Sequence, residues 1–288
     1  MTIILIPFLA LISAVHAEPP VIYGEDNRVE TVESKSALFK QLAASTAVQM
    51  SKDFTGPMGG KILFEGQTLS DFVSMKYGSQ LCEGERFKEQ VALGNCSGFL
   101  VAPDVILTAG HCFSSKECET YDWVFNYKAA KIGDNTVTVS ERNVYHCKEI
   151  IAFQNPNLHA TRKDFAVIKL DRPVAGVAPL KVAARTPGLG TSLVLIGHPS
   201  GLPQKIADGA SVKRIIPTGF FANVDAFGGN SGSAVFNDRT GEVVGILVNG
   251  ADDYTLDSEN ACMRVAKLSQ DKGEEGVSGV EQFLQYLK

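Results

Sequence analysis

The sequence lacks the features that would suit a nucleic-acid-binding or membrane-spanning protein. Its 288 residues contain 27 Lys and Arg against 32 Asp and Glu, and the basic residues form no run or stripe. A chain without a basic surface is not expected to bind nucleic acid. The apolar run Ile3–Val15 is shorter than the roughly 20 residues that cross a bilayer, and no later run is longer. The composition therefore favours a globular protein outside these two classes.

The sequence also lacks the spacing of a metal site. It has no Cys-x₂-Cys pair, and its five histidines are scattered. We therefore expect no metal ion and no cofactor. Its six cysteines all follow residue 80, and an even number of cysteines in an exported chain predicts disulfides.

The first 17 residues read as a secretory signal. The apolar run ends at Val15-His16-Ala17, which puts small residues at the positions where a signal peptidase cuts. No Lys or Arg precedes the run, so a buried N-terminal strand or helix remains an alternative. We expect cleavage after Ala17, a secreted or periplasmic location, and no stable membrane insertion once the signal is removed.

The remaining chain is expected to be all-β. Residues 18–35 are polar and read as an extended N-terminal segment or a propeptide, and a helix is expected from Ser36. A short amphipathic helix with Val280, Phe283, Leu284 and Leu287 on one face closes the chain. Many short strands at regular spacing indicate a sandwich or a barrel. The expected strands are Ser45–Met50, Cys96–Val101, Val105–Thr108, Trp123–Tyr127, Thr136–Tyr145, Phe165–Leu170, Ser192–Gly197, Ala210–Ile216, Ala234–Asn237 and Val243–Val248.

The most informative stretch is the turn at residues 228–233, Gly-Gly-Asn-Ser-Gly-Ser. Glycine allows positive φ and close approach of the main chain to a ligand. Two backbone N–H groups could converge beside the Ser231 hydroxyl, as they do in an oxyanion hole. Clusters of this composition are usually plain loops, so the function of the turn depends on what accompanies it.

Two other strings supply the partners that a nucleophilic serine needs. His111 follows two apolar strands joined by a Pro-Asp turn, and Asp164 stands directly before an alternating apolar strand. Serine needs a base to take its proton, and that base needs a third group to orient it. Asp104 and Asp171 are the rival acids, and both read as turn residues.

These motifs resemble those of a chymotrypsin-fold, trypsin-like serine peptidase. Leu-Thr-Ala-Gly-His-Cys carries His111, Asp-Phe-Ala-Val-Ile-Lys-Leu carries Asp164, and the glycine-rich turn carries Ser231. The resemblance covers about residues 96–250, and the turn is similar to that of the bacterial glutamyl-endopeptidase-like branch. It implies two six-stranded antiparallel β-barrels, with the catalytic site between them, within a peptidase domain at residues 36–288.

The resemblance also implies roles for individual residues. His111 would be the general base and acid, Asp164 would orient it, and Ser231 would form the acyl-enzyme. The N–H groups of Gly229 and Ser231 would bind the oxyanion. Cys96 and Cys112 match the disulfide that holds the histidine loop in the family. For the other four cysteines we favour Cys118 with Cys147, which leaves Cys82 with Cys262, and this pairing stays open.

The same resemblance locates a specificity pocket for the P1 residue, which precedes the scissile bond. The positions that correspond to its base and walls are Asp225, Ala226, Val248, Asn249 and Gly250. A carboxylate at residue 225 would select Arg or Lys, although glutamyl relatives also carry an acid there. We expect a basic or mixed P1 preference.

Two substitutions argue against glutamyl specificity. That branch uses a hydroxyl and a histidine to bind the substrate carboxylate, and this chain has Ala226 and Leu247 at those positions.

Many family members also activate through an ion pair between a new N-terminus and an Asp before the serine. Asn230 has no charge, so we expect no such pair, and removal of residues 18–28 or of the signal alone would suffice.

The remaining features leave alternatives open. The acidic loop of Asp252, Asp253, Asp257 and Glu259 could bind calcium or attract basic substrates, and a solvated loop is the expected reading. The other histidines, His146, His159 and His198, are expected at the surface or in hydrogen bonds. We expect a monomeric endopeptidase acting on protein or peptide substrates. The alternative is a catalytically silent homologue that acts as a binding or toxin-like protein.

Overall fold

The structure is a computed structural model that describes residues 22–55, 59–113, 116–158, 163–250, 252–273 and 275–287. The expected signal peptide at residues 1–17 and His159 lie outside the described residues. Among the helices that the structure describes, none has the length and apolar character needed to cross a membrane.

The described chain consists mainly of short strands. The strands up to residue 170 are β1 (Ile22–Tyr23), β2 (Arg28–Glu30), β3 (Thr46–Ser51), β4 (Lys61–Phe64), β5 (Gly94–Ala102), β6 (Val105–Thr108), β7 (Tyr121–Phe125), β8 (Val137–Ser140), β9 (Val144–Gln154) and β10 (Phe165–Leu170). The later strands are β11 (Ser192–Gly197), β12 (Lys205–Ile216), β13 (Gly219–Ala222), β14 (Ala234–Asn237), β15 (Val243–Asn249), β16 (Tyr254–Asp257), β17 (Cys262–Val265), β18 (Lys267–Leu268) and β19 (Glu275–Gly279).

These strands form two barrels. The first closes in the order β10, β6, β5, β3, β7, β9, with antiparallel neighbours throughout. The second runs β11, β14, β15, β19, β13, β12, and β12 pairs back with β11 to close it. The expected all-β fold of two six-stranded antiparallel barrels is confirmed.

Most expected strands lie where the sequence placed them, and the differences are local. The expected strand Thr136–Tyr145 is split into β8 and β9 by a 3₁₀ turn at Glu141–Asn143. The expected C-terminal helix consists of two 3₁₀ turns, Val280–Gln282 and Leu284–Tyr286. Their apolar face packs inward as expected, since Val280 and Phe283 are fully buried.

Helix α1 (Ala37–Ala43) precedes the first barrel, whereas α2 (Leu69–Tyr77) and α3 (Glu117–Thr120) lie in connections between its strands. Ser36 caps α1 by accepting the Phe39 N–H at 3.2 Å. A capping box of Thr68 and Asp71 begins α2, and Gly78 ends it in the left-handed conformation. We did not expect α2, which lies within a long connection between the first two strands of the first barrel.

The part of the N-terminal segment that the structure describes is built into the fold. Strand β1 pairs in parallel with β18, and β2 pairs with β12 of the second barrel. Ile22 and Tyr23 are fully buried. Removal of residues 18–28 would therefore delete the buried strand β1, and the step that activates the protein stays a prediction.

Candidate active site

His111 lies where the two barrels meet. It belongs to a 3₁₀ turn, Gly110–Cys112, directly after β6. A Cβ atom at Gly110 would overlap the Gln154 carbonyl and would lie 2.9 Å from the Phe165 amide nitrogen. Only glycine lets this turn approach the end of β9 and the start of β10 so closely, and this approach brings His111 beside residue 164.

Asp164 holds His111 at two points. Its Oδ1 accepts the His111 backbone N–H at 3.0 Å, and its Oδ2 lies 2.8 Å from the His111 Nδ1. The carboxylate is mostly buried, while a quarter of the His111 side chain is exposed. Because a carboxylate only accepts, His111 Nδ1 carries a proton toward it, and the Nε2 lone pair is left for another partner.

The Ser231 turn is anchored to the strands of both barrels. The Ser231 carbonyl accepts the Ser97 N–H from β5 at 2.8 Å, and the Gly232 N–H donates to Leu247 of β15 at 2.8 Å. A Cβ atom at Gly232 would lie 2.9 Å from the Ala109 amide nitrogen, next to the His111 turn. The structure records no hydrogen bond between the side chains of Ser231 and His111, both of which it describes.

The backbone beside Ser231 presents two N–H groups. The Gly228 carbonyl accepts the Ser200 N–H at 2.5 Å, and the trans peptide then directs the Gly229 N–H to the opposite side. Within the described residues, neither the Gly229 N–H nor the Ser231 N–H donates a hydrogen bond. Both are therefore free to bind an anionic oxygen.

Glycine is required at residue 229. Its φ of +90° belongs to the left-handed region, and a Cβ atom would lie 2.7 Å from the His198 carbonyl oxygen. His198 is fully buried, its Nδ1 lies 3.1 Å from the Leu202 carbonyl oxygen, and its ring lies beside Tyr127. Burial lowers the pKa of His198 to about 3, so this ring is neutral near pH 7.

The three disulfides have the pairing that the sequence favoured. Cys96 joins Cys112 next to His111, Cys118 joins Cys147, and Cys82 joins Cys262. The last pair ties the chain after α2 to β17, which pairs with β16 directly after Asp253. The histidine turn and the later pocket loops are therefore each held by a covalent cross-link.

Asp225 does not lie in the cavity beside Ser231. Its carboxylate accepts the backbone N–H groups of Tyr23 at 2.9 Å and Asn27 at 2.8 Å. Burial raises its pKa to about 6. Its carboxylate therefore holds the N-terminal segment and is not part of the lining of the cavity beside Ser231. Asn230 is also buried, and its Oδ1 accepts the Ser233 hydroxyl at 3.2 Å.

A cavity of about 180 Å³ opens beside Ser231. Among the expected pocket residues, Ala226, Asn249 and Gly250 line it, and Asp225 and Val248 do not. Three charged side chains that we had not assigned to the pocket also line it. The full lining is Lys76, Ala226, Phe227, Gly228, Ser231, Leu247, Asn249, Gly250, Asp253 and Glu275.

Asp253 corrects the expectation of a solvated acidic loop. It is 5% exposed, and both of its oxygens accept the Gly228 N–H, at 3.0 and 3.2 Å. Tyr254, the buried residue that follows it, was a signal in the sequence that this loop turns inward. No pattern marked Lys76 or Glu275, because α2 and β19 were themselves not predicted.

Comparison with known proteins gives the family. Snake venom serine protease 2 of Protobothrops jerdonii is 27% identical over 138 residues, which are 45% of this chain and 50% of that protein. Snake venom serine protease HS114 of Bothrops jararaca is 27% identical over 134 residues, which are 44% of this chain and 49% of that protein. The chain thus spans about half the length of the curated relatives it matches.

Solved structures share the fold at low identity. A Glu endopeptidase in complex with MPD has a TM-score of 0.54 and 18% identity, over 93% of this chain and 97% of that one. The Vibrio cholerae VesB protease has a TM-score of 0.53 and 14% identity, over 91% of this chain and 66% of that one. Residues 96–246 match the model of the trypsin-like peptidase domain, and this match covers more than half of the chain. The chain therefore belongs to the trypsin-like peptidase family.

Proposed function

We propose that this protein is a secreted serine endopeptidase that cleaves protein or peptide substrates through Ser231, His111 and Asp164. The observation that carries the proposal is the two-point attachment of His111 to Asp164 beside the Ser231 turn. The cysteines support export, since disulfides form and persist outside the reducing cytosol.

In the first step, the Ser231 oxygen attacks the carbonyl carbon of the scissile bond. His111 Nε2 takes the hydroxyl proton, and the Asp164 carboxylate stabilises the imidazolium that forms. The tetrahedral intermediate then collapses, the carbon–nitrogen bond breaks, and His111 gives its proton to the leaving amine. In the second half, water attacks the acyl-enzyme by the same route and releases the acid.

The oxyanion of each tetrahedral intermediate would be bound by the N–H groups of Gly229 and Ser231. The bond from Ser200 to the Gly228 carbonyl supports this role, because it keeps the Gly229 N–H directed to the opposite side. Removal of one such donor typically lowers kcat by about 10²–10³.

The P1 preference that fits this cavity is basic or mixed. Leu247 and Ala226, which line the cavity, offer neither the histidine nor the hydroxyl that a substrate carboxylate would need. Two carboxylates in the lining would repel an acidic side chain and attract a cationic one.

The test is labelling of the secreted protein with a fluorophosphonate, followed by peptide mapping. We expect the label on Ser231, no labelling in the Ser231→Ala variant, and unchanged labelling in the Ser258→Ala control, which alters an exposed serine. The Asp164→Asn variant keeps the Ser231 nucleophile but loses the group that orients the His111 imidazole. Its kcat should be about 10⁴-fold lower than that of the native protein. Absence of labelling in the folded native protein would instead support the catalytically silent homologue.

A further inference from the structure

The specificity cavity contains two buried carboxylates that the family motif does not mark. Asp253 stands just before β16, Glu275 begins β19, and both line the cavity. We infer that these two carboxylates, rather than Asp225, bind the side chain of a P1 Arg or Lys, and that Lys76 is a built-in counter-ion which the substrate displaces. This inference rests on the proposed peptidase function.

Asp225 is not part of the cavity lining, and its carboxylate is directed to the N-terminal segment instead. Each of its oxygens receives a backbone N–H of the N-terminal segment, from Tyr23 and from Asn27. It lies instead beside a small void whose lining includes Arg28 and Lys205 and does not include Ser231. The position that would normally set basic specificity has therefore become an anchor for the N-terminal segment.

Asp253 is a buried carboxylate with incomplete compensation. Within the described residues, its hydrogen bonds come from a single donor, the Gly228 N–H, and its nearest ammonium is 3.8 Å away on Lys76. Its side chain is 6% exposed. A buried charge needs strong partners, and a guanidinium entering the cavity would supply two charge-assisted hydrogen bonds.

Glu275 adds a second carboxylate in contact with the cavity wall. Its Oε1 accepts the Tyr23 hydroxyl at 3.3 Å. A Cβ atom at Gly250 would overlap the Glu275 Oε2 and would lie 2.8 Å from Oε1. The absence of a side chain at residue 250 therefore lets this carboxylate reach the cavity, although Glu275 is almost fully buried.

Lys76 lies at the mouth of the same cavity. It belongs to the last turn of α2, and about half of its side chain is exposed. Its ammonium would be 4.0 Å from a Cβ atom at Gly228, three residues before Ser231. A partly exposed Lys–Asp pair contributes little to stability, so a substrate guanidinium with bidentate geometry can replace it.

The charges of the cavity discriminate among P1 residues. Once Lys76 is displaced, the carboxylates of the lining are left for the cation of a P1 Arg or Lys side chain. A P1 Glu could reach Lys76 only by approaching Asp253 and Glu275, and like charges in a low-dielectric cavity repel strongly. A neutral P1 side chain would leave both carboxylates as they are.

The first experiment measures kcat/KM on one peptide series with Arg, Lys, Gln or Glu at P1. We expect the native protein to prefer Arg to Gln at least tenfold. Asp253→Asn and Glu275→Gln should each reduce that ratio at least fivefold, and Lys76→Gln should raise it. The Asp225→Asn control should leave the ratio unchanged. An unchanged ratio in both cavity variants, a ratio lost in Asp225→Asn, or a preference for Glu would overturn the inference.

The second experiment separates this inference from the proposed activity. Benzamidine is titrated into the Ser231→Ala protein by calorimetry, with benzamide as the neutral control. We expect benzamidine to bind at least tenfold more tightly than benzamide, and the addition of Asp253→Asn to remove the difference. The Lys76 side chain is half-exposed, so the Lys76→Gln variant is expected to fold. It should bind benzamidine more tightly than the protein with Lys76, and this measurement tests the inference even if the Asp253 and Glu275 variants do not fold. Equal binding of the two probes would overturn the inference, whereas absence of fluorophosphonate labelling would overturn only the proposed function.

Discussion

The Arg28 guanidinium lies over the Phe227 ring, with its Cζ 3.9 Å from the ring centre. Arg28 is fully buried and also pairs with Asp26, through bonds of 2.9 and 2.8 Å. Phe227 stands four residues before Ser231 and its carbonyl accepts the Asn230 N–H. The N-terminal segment therefore braces the turn that carries the nucleophile, by a cation–π contact and by the bonds to Asp225.

Replacement of Arg28 by Met tests this brace. The change removes a buried cation and leaves Asp26 with only the longer pair to Arg86, at 3.3 Å. Breaking a buried ion pair typically costs about 3–5 kcal/mol. We expect a loss of that size in the free energy of unfolding, measured with urea, together with a fall in kcat.

Arg214→Met is the matched control for Arg28→Met. Arg214 also lies 3.9 Å from an aromatic ring centre, that of Phe221, but it is exposed. We expect a change below about 1 kcal/mol for this variant, as is usual for exposed cation–π pairs. Similar losses in the two variants would contradict a bracing role for Arg28.

Replacement of Gly229 by Ala tests the oxyanion site. The new Cβ would contact the His198 carbonyl and would have to occupy a left-handed conformation, so the peptide must move. We expect kcat to fall by about 10²–10³, with a smaller change in KM, because the donor acts in the transition state.

Gly190→Ala controls for backbone strain alone. Gly190 also has a positive φ, and a Cβ there would meet nothing within 4 Å. This variant should lose some stability and keep its kcat. A fall in kcat that is equal in both variants would show that strain, and not the N–H group, causes the effect at Gly229.

The buried carboxyl group of Asp225 should make the protein less stable as the pH rises. Burial raises its pKa to about 6, against the usual 3.8, with opposing contributions from the N–H groups of Tyr23 and Asn27. A raised pKa in the folded state favours folding below pH 4, and this contribution is lost as the pH rises through 6. A shift of this size corresponds to about 3 kcal/mol.

The measurement is urea unfolding of the native protein and of Asp225→Asn at pH 4, 5, 6 and 7. Because other carboxyl groups, including Asp26 and Asp253, are present in both proteins, the difference isolates residue 225. We expect the native protein to lose up to about 3 kcal/mol relative to the variant between pH 4 and 7. A difference that stays constant across this range would refute the prediction.

The disulfide between Cys82 and Cys262 should affect both stability and specificity. It joins the chain after α2, which carries Lys76, to β17, whose partner strand β16 follows Asp253. Replacing both cysteines by Ser should lower the free energy of unfolding by about 2–5 kcal/mol. The preference for Arg over Gln at P1 should also fall, measured as a ratio of kcat/KM values.

The pair Cys118–Cys147 provides the control for this change. It joins α3 to β9 in the first barrel and touches no residue of the cavity lining. Its replacement should lower stability without changing the P1 preference. An equal change of preference in both double variants would mean that general loosening, rather than the cavity, is responsible.

The sequence predicted the parts of this site that depend on local pattern. His111 and Asp164 stand next to short apolar strands, and Ser231 stands in a glycine-rich turn. Each of these patterns can be recognised from about ten consecutive residues of the sequence. It did not predict β13 or β19, whose glycines lower strand propensity and whose stability comes from barrel neighbours.

Asp225 shows why the specificity pocket was harder to predict. Its position relative to Ser231 was read correctly, but the function of its carboxylate depends on amides about 200 positions away in the chain. The burial of Asp253 was not predicted, because the neighbouring acidic residues in the sequence are mostly exposed. The Thr68-x-x-Asp71 capping box of α2 was a legible signal that we did not use.

The hydrogen bond from Tyr23 to Asp225 spans 202 positions of the chain, and all six strands of the first barrel lie between its two ends. The first barrel can close while the chain is still being made, whereas the bond from Tyr23 to Asp225 cannot form before residue 225 has been made. Contacts of such long range form slowly, because chain entropy must be lost before they stabilise anything. The bond from Tyr23 to Asp225 would therefore be among the last contacts to form, and the brace on the Ser231 turn would be completed only then.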